Sequence, residues 1–88
     1  MHAVIIDVTL DDPAAARADL PTQVIPMLKG IPDFVGGHWV ALSEDRGTSI
    51  CVFESEASAK ALASQAESMP MANVTTQRIE VGEVMASA

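Results

Sequence analysis

The sequence predicts an α+β fold in which six elements follow one another in the order β-α-β-β-α-β. Two observations predict this order. Four short runs are β-favouring or alternate apolar with other residues, as strands do. Two further runs repeat apolar residues at spacings of three and four, as amphipathic helices do. With 88 residues the chain has the length of one small domain, and we assign residues 1–88 to it.

The first strand is predicted over residues 2–10. Its even-numbered positions from Val4 to Leu10 are all apolar, so we expect this face to lie against the helices. The other face carries Ile5 but is mixed, because Asp7 interrupts it. A sheet with helices on one side must either bury its other side or expose it to solvent. The first strand contributes an apolar face to the helix side and a mixed face to the other side.

Asp11-Asp12-Pro13 is typical of a helix start, since Asp caps free N–H groups and Pro is tolerated in the first turn. An apolar stripe then predicts a helix from about Ala14 to Lys29, and Pro21 and Pro26 lie inside it. A proline within a helix removes a hydrogen bond and costs roughly 3 kcal/mol. We therefore expect one bent helix, or two short ones, that continues across Pro26. Gly30-Ile31-Pro32 ends the element.

Three more strands complete the predicted sheet. The second spans Phe34–Leu42, and Gly36-Gly37 predicts a bulge or a close backbone approach within it. A polar hairpin loop follows, and the third strand spans Thr48–Phe53. The last strand spans Val74–Met85, with an irregularity expected near Gly82.

The second helix is predicted to begin at Glu54 or Ser55 and to run to about Ser68, where Pro70 stops it. Small side chains on its inward face allow close packing on a sheet. These inward residues are Ala59, Leu62, Ala66 and Met69. The complete order gives a ferredoxin-like fold with a four-stranded antiparallel sheet and both helices on one face.

Three segments resemble the dimeric α/β-barrel superfamily, close to the antibiotic-biosynthesis-monooxygenase-like proteins. In Val24–Trp39 a proline-containing helix end precedes the strand start PDFVGGHW. In Ile50–Ala59 a strand runs into an acidic, serine-containing helix start, and the closing strand Val74–Met85 also fits. The resemblance covers nearly the whole chain, but it consists of apolar and turn residues. It therefore indicates the fold more strongly than an activity.

The resemblance implies a homodimer in which two sheets face each other through their uncovered sides and close a barrel. The composition agrees independently, because 49% hydrophobic residues in so short a chain indicate apolar surface covered by a second copy. Two functions stay open. One is a cofactor-independent monooxygenase-like enzyme acting on an aromatic or polyketide-like small molecule in the barrel. The other is a non-catalytic barrel that binds a small apolar or aromatic ligand or serves as a structural module.

Asp7 interrupts the first strand on the face away from the helices, and two interpretations of it stay open. It is either a ligand anchor or proton acceptor in the barrel, or a rim carboxylate that is solvated or paired with Arg78. The second is favoured, because a buried acid needs a partner. A desolvated carboxylate would have a raised pKa unless Arg78, the cation of the last strand, reached it.

His38 and Trp39 are adjacent, so on a regular strand they point to opposite faces and one of them lines the barrel. A His can move protons near neutral pH, and a Trp can stack on a planar ligand; packing is the alternative role for each. Val40 and Leu42 lie on the same face of the predicted strand as His38, and their apolar side chains are typical of a face that packs against helices. We therefore expect Trp39 to line the barrel. The sequence thus predicts a ligand site formed by Asp7, Trp39 and Arg78.

From the sequence we expect several classes of function to be absent. The net charge of -7 repels nucleic acid and anionic membrane surfaces. We expect no cofactor, since Asp11-Asp12-Pro13 follows the first strand where a phosphate-binding loop would stand, and no metal, since His2 and His38 lack ligand spacing. Haem degradation is disfavoured, because the second helix lacks the Trp and His that this branch of the family carries. Cys51 is expected to be a small core residue, and a lone cysteine fits the reducing cytoplasm.

Overall fold

Four antiparallel strands form one sheet, and helices cover one of its faces. The computed structural model describes residues 1–68 and 72–88. The strands are β1 (His2–Leu10), β2 (Phe34–Ala41), β3 (Arg46–Phe53) and β4 (Val74–Glu83), and they lie in the order β2-β3-β1-β4. The helices are α1 (Pro13–Asp19), a π-helical turn (Leu20–Val24), α2 (Ile25–Lys29) and α3 (Glu56–Ser68). This arrangement confirms the predicted α+β order and the antiparallel sheet.

The element bounds differ from the predicted ones by a few residues. β3 begins at Arg46, two residues before the predicted start, because the hairpin loop is shorter than expected. β4 ends at Glu83, two residues before the predicted end. Met69 and Pro70, expected at the end of the second helix, lie outside the described residues. No helix within the described residues is long and apolar enough to cross a membrane.

Residues 13–29, which we name the cover segment, are helical throughout, so the prediction that the helix continues across Pro26 is confirmed. Pro21 has no N–H to give, and the ring of Pro26 crowds the carbonyl of Thr22, four residues earlier. The backbone widens here into the π-helical turn. The N–H of Ile25, the residue after the turn, donates to the carbonyl of Leu20 five residues earlier. The Thr22 hydroxyl donates to the Ala18 carbonyl at 3.0 Å.

The hydrophobic core lies between the sheet and α3. Its side chains come from both central strands, from α2 and from α3: Val4, Ile6, Leu28, Cys51, Phe53, Ala59, Leu62 and Ala63. The alanines let α3 lie close to β1 and β3, as the sequence predicts for this helix. Burial of a side chain as large as that of Phe53 contributes about 1.5–3 kcal/mol to the free energy of unfolding. The Phe53 ring packs edge-on against the Phe34 ring, with 5.6 Å between the ring centroids.

Each edge strand carries one register shift. In β2 the shift lies between Phe34 and Gly36, so Val35 is the extra residue, immediately before the predicted glycine pair. In β4 the shift leaves Gln77 unpaired, opposite the junction of Asp7 and Val8. The prediction of an irregularity near Gly82 is therefore wrong. Gly82 pairs regularly with Ala3, and a Cβ there would touch nothing within 4 Å, so no close approach requires the glycine.

Asp33 joins the start of β2 to the start of α3. Its carboxylate accepts hydrogen bonds from the Ser55 hydroxyl at 2.6 Å and from the Ser55 backbone N–H at 3.1 Å. The Ser55 hydroxyl in turn accepts from the Ser58 backbone N–H at 3.2 Å. These contacts satisfy free N–H groups at the helix start from a distant part of the chain. The hydrogen bond from Ser55, with a smaller contribution from Ser58, holds the pKa of the Asp33 carboxyl below its usual 3.8.

We expect Asp33→Asn to destabilise the protein in a pH-dependent way. A folded-state pKa below the unfolded value gives stabilisation that is present above about pH 3.8 and is lost as the pH falls through the folded-state value. The difference between wild type and variant in free energy of unfolding should thus be largest near neutral pH and shrink in acid. Urea titrations over a pH series measure it. Asp45→Asn, in the exposed hairpin loop, is the matched control, and an equal difference at all pH values would contradict the assignment.

Candidate functional site

A cavity of about 1580 Å³ lies between the cover segment and the sheet. The cover segment forms its roof, the helix-facing sides of β1, β3 and β2 form its floor, and α3 and residues 72–74 close one side. Leu28 is buried, whereas the other residues of the cover segment are exposed or half-buried. The roof is therefore attached to the core near its end and stands away from the sheet along most of its length.

Small side chains make the floor of the cavity. Along its helix-facing side β3 presents Gly47, Ser49 and Cys51 in succession, and all three line the cavity. Ile6 of β1 and Trp39 of β2 flank Ser49 in direct cross-strand register. The floor thus has a shallow centre of small residues between larger apolar walls.

The roof of the cavity is mostly apolar at its centre and polar at its margins. Apolar lining comes from one side of the cover segment: Ala16, Leu20, Val24, Met27 and Leu28. Arg17 and Gln23 add polar groups. Met27 is 47% exposed, so it lies where the cavity meets solvent. The cavity is therefore a half-open groove and not a sealed void.

Hydrogen bonds made by Asp12 and Asn73 hold the first part of the cover segment. The Asp12 carboxylate accepts from the Ala15 N–H at 3.1 Å and caps α1. The Asn73 side-chain amide donates to the Asp19 carboxylate at 3.0 Å, while the Asn73 carbonyl accepts from the backbone of Asp11 and Asp12. Asn73 has a φ of 67°, a left-handed conformation that Asn tolerates better than most residues. These contacts fix the roof at one end, as burial of Leu28 fixes it at the other.

The far end of the Trp39 ring lies against Gly37 of its own strand. A Cβ placed on Gly37 would lie 3.0 Å from Cη2 and 3.3 Å from Cζ3 of the Trp39 ring, so the ring covers Gly37. Trp39 also lines the cavity and packs against the core, half-buried. The ring is therefore anchored against the strand at one end and contributes to the wall of the cavity.

The prediction that Trp39 shares a face with Asp7 is wrong. Trp39 pairs with Ser49, which pairs with Ile6 on the helix side, whereas His38 pairs with Ile50 on the opposite side. The parity of β2 was inferred from apolar Val40 and Leu42, but β2 is an edge strand with apolar residues on both faces. Val40 pairs with Thr48, level with Asp7, and stays half exposed.

The face away from the helices, which we name the open face, contains Asp7 and Arg78 as predicted. They are cross-strand partners, and Nε of Arg78 lies 3.1 Å from the Asp7 carboxylate. Nη2 of Arg78 also lies 3.8 Å from Glu80. The pair is partly solvated, since the Asp7 side chain is 32% exposed. Beside it lies an apolar strip of Ile5, Ile50, Val52 and Val40, with His38 at its β2 end.

The chemistry available in the cavity is mainly that of binding. Burial raises the pKa of the Cys51 thiol from 9.0 to about 11, so this lining residue is protonated at neutral pH and a poor nucleophile. The Asp19 carboxylate at the margin already accepts from Asn73. Within residues 1–68 and 72–88, no three His, Cys, Asp or Glu side chains cluster closely enough to hold a metal ion.

The sequence pattern could have indicated the cavity through β3. Alternate residues Gly47, Ser49 and Cys51 are small, while the cover segment opposite carries large apolar residues. Small residues under a helix are ordinarily matched by close approach of the helix, as α3 shows with its alanines. The two prolines of the cover segment are the signal that this helix cannot make the same approach.

We expect Gly37→Ala to destabilise the fold by about 1–3 kcal/mol, because the new methyl group would meet Cη2 of Trp39 at 3.0 Å and the Ile50 carbonyl at 3.2 Å. The displaced ring should shift the emission of this single tryptophan. Denaturant unfolding and fluorescence measure the two effects. Gly36→Ala is the matched control, since a Cβ there meets nothing within 4 Å. Equal stability of both variants would show that Gly37 does not position the ring.

A comparison of the chain with protein-family models, with characterised proteins and with solved structures finds no match to any of them. The assignment of a site therefore rests on the geometry of the cavity and of the open face.

Proposed function

We propose that the protein binds a planar, largely apolar small molecule in the cavity between the cover segment and the sheet. The observation that carries the proposal is the half-buried Trp39 ring, which contacts Gly37 and lines the cavity. Aromatic stacking favours flat ligands, and ligand sites are concave, mostly apolar and furnished with few polar groups. Leu28, Val24 and Ile6 supply further apolar lining of the cavity.

The size of the cavity supports a ligand of several fused or linked rings. Ligand sites commonly measure about 300–1,000 Å³, and the groove described here exceeds that range partly because one side is open. Its mostly apolar lining with a few polar groups at the margins is the composition that ligand sites usually have. This location replaces the barrel interior as the proposed ligand site.

The cofactor-independent monooxygenase-like activity implied by the family resemblance would be a further property of the same cavity. In such an activity an electron-rich substrate, such as a phenol, would itself reduce dioxygen. Oxygen uptake by purified protein with phenols and no added cofactor tests for it. Uptake that depends on the protein would establish an enzyme; tight binding without turnover supports the non-catalytic alternative.

We expect Ala16→Phe to weaken binding of 1-naphthol at least about tenfold, because the half-buried Ala16 lines the roof and a phenyl group there would occupy the cavity. The melting temperature should stay the same or rise, since apolar space is filled. Ala18→Phe is the matched control, because exposed Ala18 lies on the same helix outside the cavity lining. Equilibrium dialysis measures the affinities. Wild-type affinity in both variants would argue against the cavity.

We further propose that a second copy of the chain covers the open face and forms the dimeric barrel. Ile50 at the centre of this face is 39% exposed and lies among Ile5, Val52 and Val40. An apolar strip of this kind on a sheet is typical of a contact between proteins. It is bordered by charges of both signs, which suits association with an identical surface better than with a strongly charged partner.

The distribution of charge on the open face is self-complementary. In a face-to-face dimer with its two-fold axis along the strands, β2 of one copy lies over β4 of the other, since these are the two edges of the sheet. His38, Ile50, Ile5 and Glu80 form one continuous row across the four strands. The axis therefore brings the imidazole of one copy over the carboxylate of the other, and the isoleucines over each other.

We expect the wild-type protein to be dimeric and Ile50→Glu to be monomeric at micromolar concentration, because the substitution buries two like charges near the two-fold axis. Size exclusion coupled to light scattering measures the mass. Met85→Glu is the control: Met85 is 95% exposed beyond the end of β4, so this variant should stay dimeric. A monomeric wild-type protein would rule out the barrel.

A further inference from the structure

Ser49 is the one residue of the cavity floor whose chemistry does not fit an apolar wall. It lies at the centre of β3 and is only 9% exposed. No hydrogen bond of its hydroxyl group is found among the described residues. The hydroxyl oxygen is nevertheless not sealed within protein, since no fully buried side-chain oxygen in the described part of the chain lacks a partner. It is therefore accessible from the cavity.

The hydroxyl group in this position contributes little to folding. It makes no hydrogen bond within the described residues, and an alanine would pack as well between Ile6 and Trp39. Because its oxygen is open to the cavity, water can serve as its hydrogen-bond partner. A ligand that displaces this water must either replace its hydrogen bond or lose it.

We propose that Ser49 is the polar anchor of the cavity and selects ligands that carry a hydroxyl or carbonyl oxygen at the edge of a planar ring system. This inference rests on the proposed binding function and adds the chemical class of the ligand. Phenols, quinones and aromatic ketones belong to this class, whereas unsubstituted aromatic hydrocarbons do not.

The register of the sheet supplies the geometry. Ser49 and Trp39 are direct cross-strand neighbours, and side chains in that relation have Cβ atoms about 4.5–5.5 Å apart. A flat ligand that contacts Trp39 under the roof can therefore bring a polar group at its edge to the Ser49 hydroxyl. The hydroxyl both donates and accepts, so it can bind a phenol or a carbonyl oxygen. Cys51, the next lining residue on β3, is a weak hydrogen-bonding group and cannot replace it.

The test compares two probes of nearly equal shape, 1-naphthol and 1-methylnaphthalene, in which a methyl group replaces the hydroxyl. Their dissociation constants are measured by equilibrium dialysis for wild type, Ser49→Ala and Ser64→Ala. Ser64 is exposed on α3 outside the cavity lining, so its replacement is a matched control. The ratio of the two dissociation constants cancels general effects of each variant on the cavity.

We expect the preference for 1-naphthol to fall about tenfold in Ser49→Ala, as for the loss of one hydrogen bond, and to remain unchanged in Ser64→Ala. Binding of 1-methylnaphthalene should be equal to wild type or tighter. If both probes bind and the ratio is the same in all three proteins, the role of Ser49 is overturned while the cavity stands. If neither probe binds wild type, the binding function and the anchor are overturned together.

Discussion

The small side chains on the helix-facing side of β3 are the constraint on which the rest of the structure depends. Gly47, Ser49 and Cys51 leave space above the central strand that a neighbouring element must either enter or span. α3 enters such space elsewhere on the sheet because two of its three buried residues are alanines. The cover segment spans it, because Pro21 and Pro26 widen the helix into a π-helical turn. Of its residues only Leu28 is fully buried, and half-buried Val24 packs against the edge of the core.

The two faces of the sheet thus have different roles. On the helix side, the core of α3, β1 and β3 provides stability while the neighbouring cavity remains open. On the open face, an ion pair between Asp7 and Arg78 lies beside apolar residues, so the carboxylate has a partner within the chain. That pairing agrees with the interpretation of Asp7 as a rim carboxylate paired with Arg78. Trp39 and Ser49, for which we propose ligand contacts, lie on the other face.

The order of elements was predictable because it depends on local signals: alternation in β1, the Asp-Pro helix start and the continued helical phase across Pro26. The face of Trp39 was not predictable from parity. Edge strand β2 has apolar residues on both sides, so hydrophobicity does not distinguish them. The role of Asp33 was likewise not evident, because its partners Ser55 and Ser58 lie more than twenty residues away and meet it only in the folded chain. The cavity depends on a mismatch between two elements, which no single segment reveals.

The extra residues Val35 and Gln77 have a consequence for how the protein resists aggregation. Each interrupts the outer hydrogen-bonding edge of the sheet, one in β2 and one in β4. A bulge twists an edge strand and breaks the regular row of N–H and C=O groups that a foreign strand would need to extend the ladder. A chain so rich in apolar residues is thereby protected at both borders from growth into continuous intermolecular sheets.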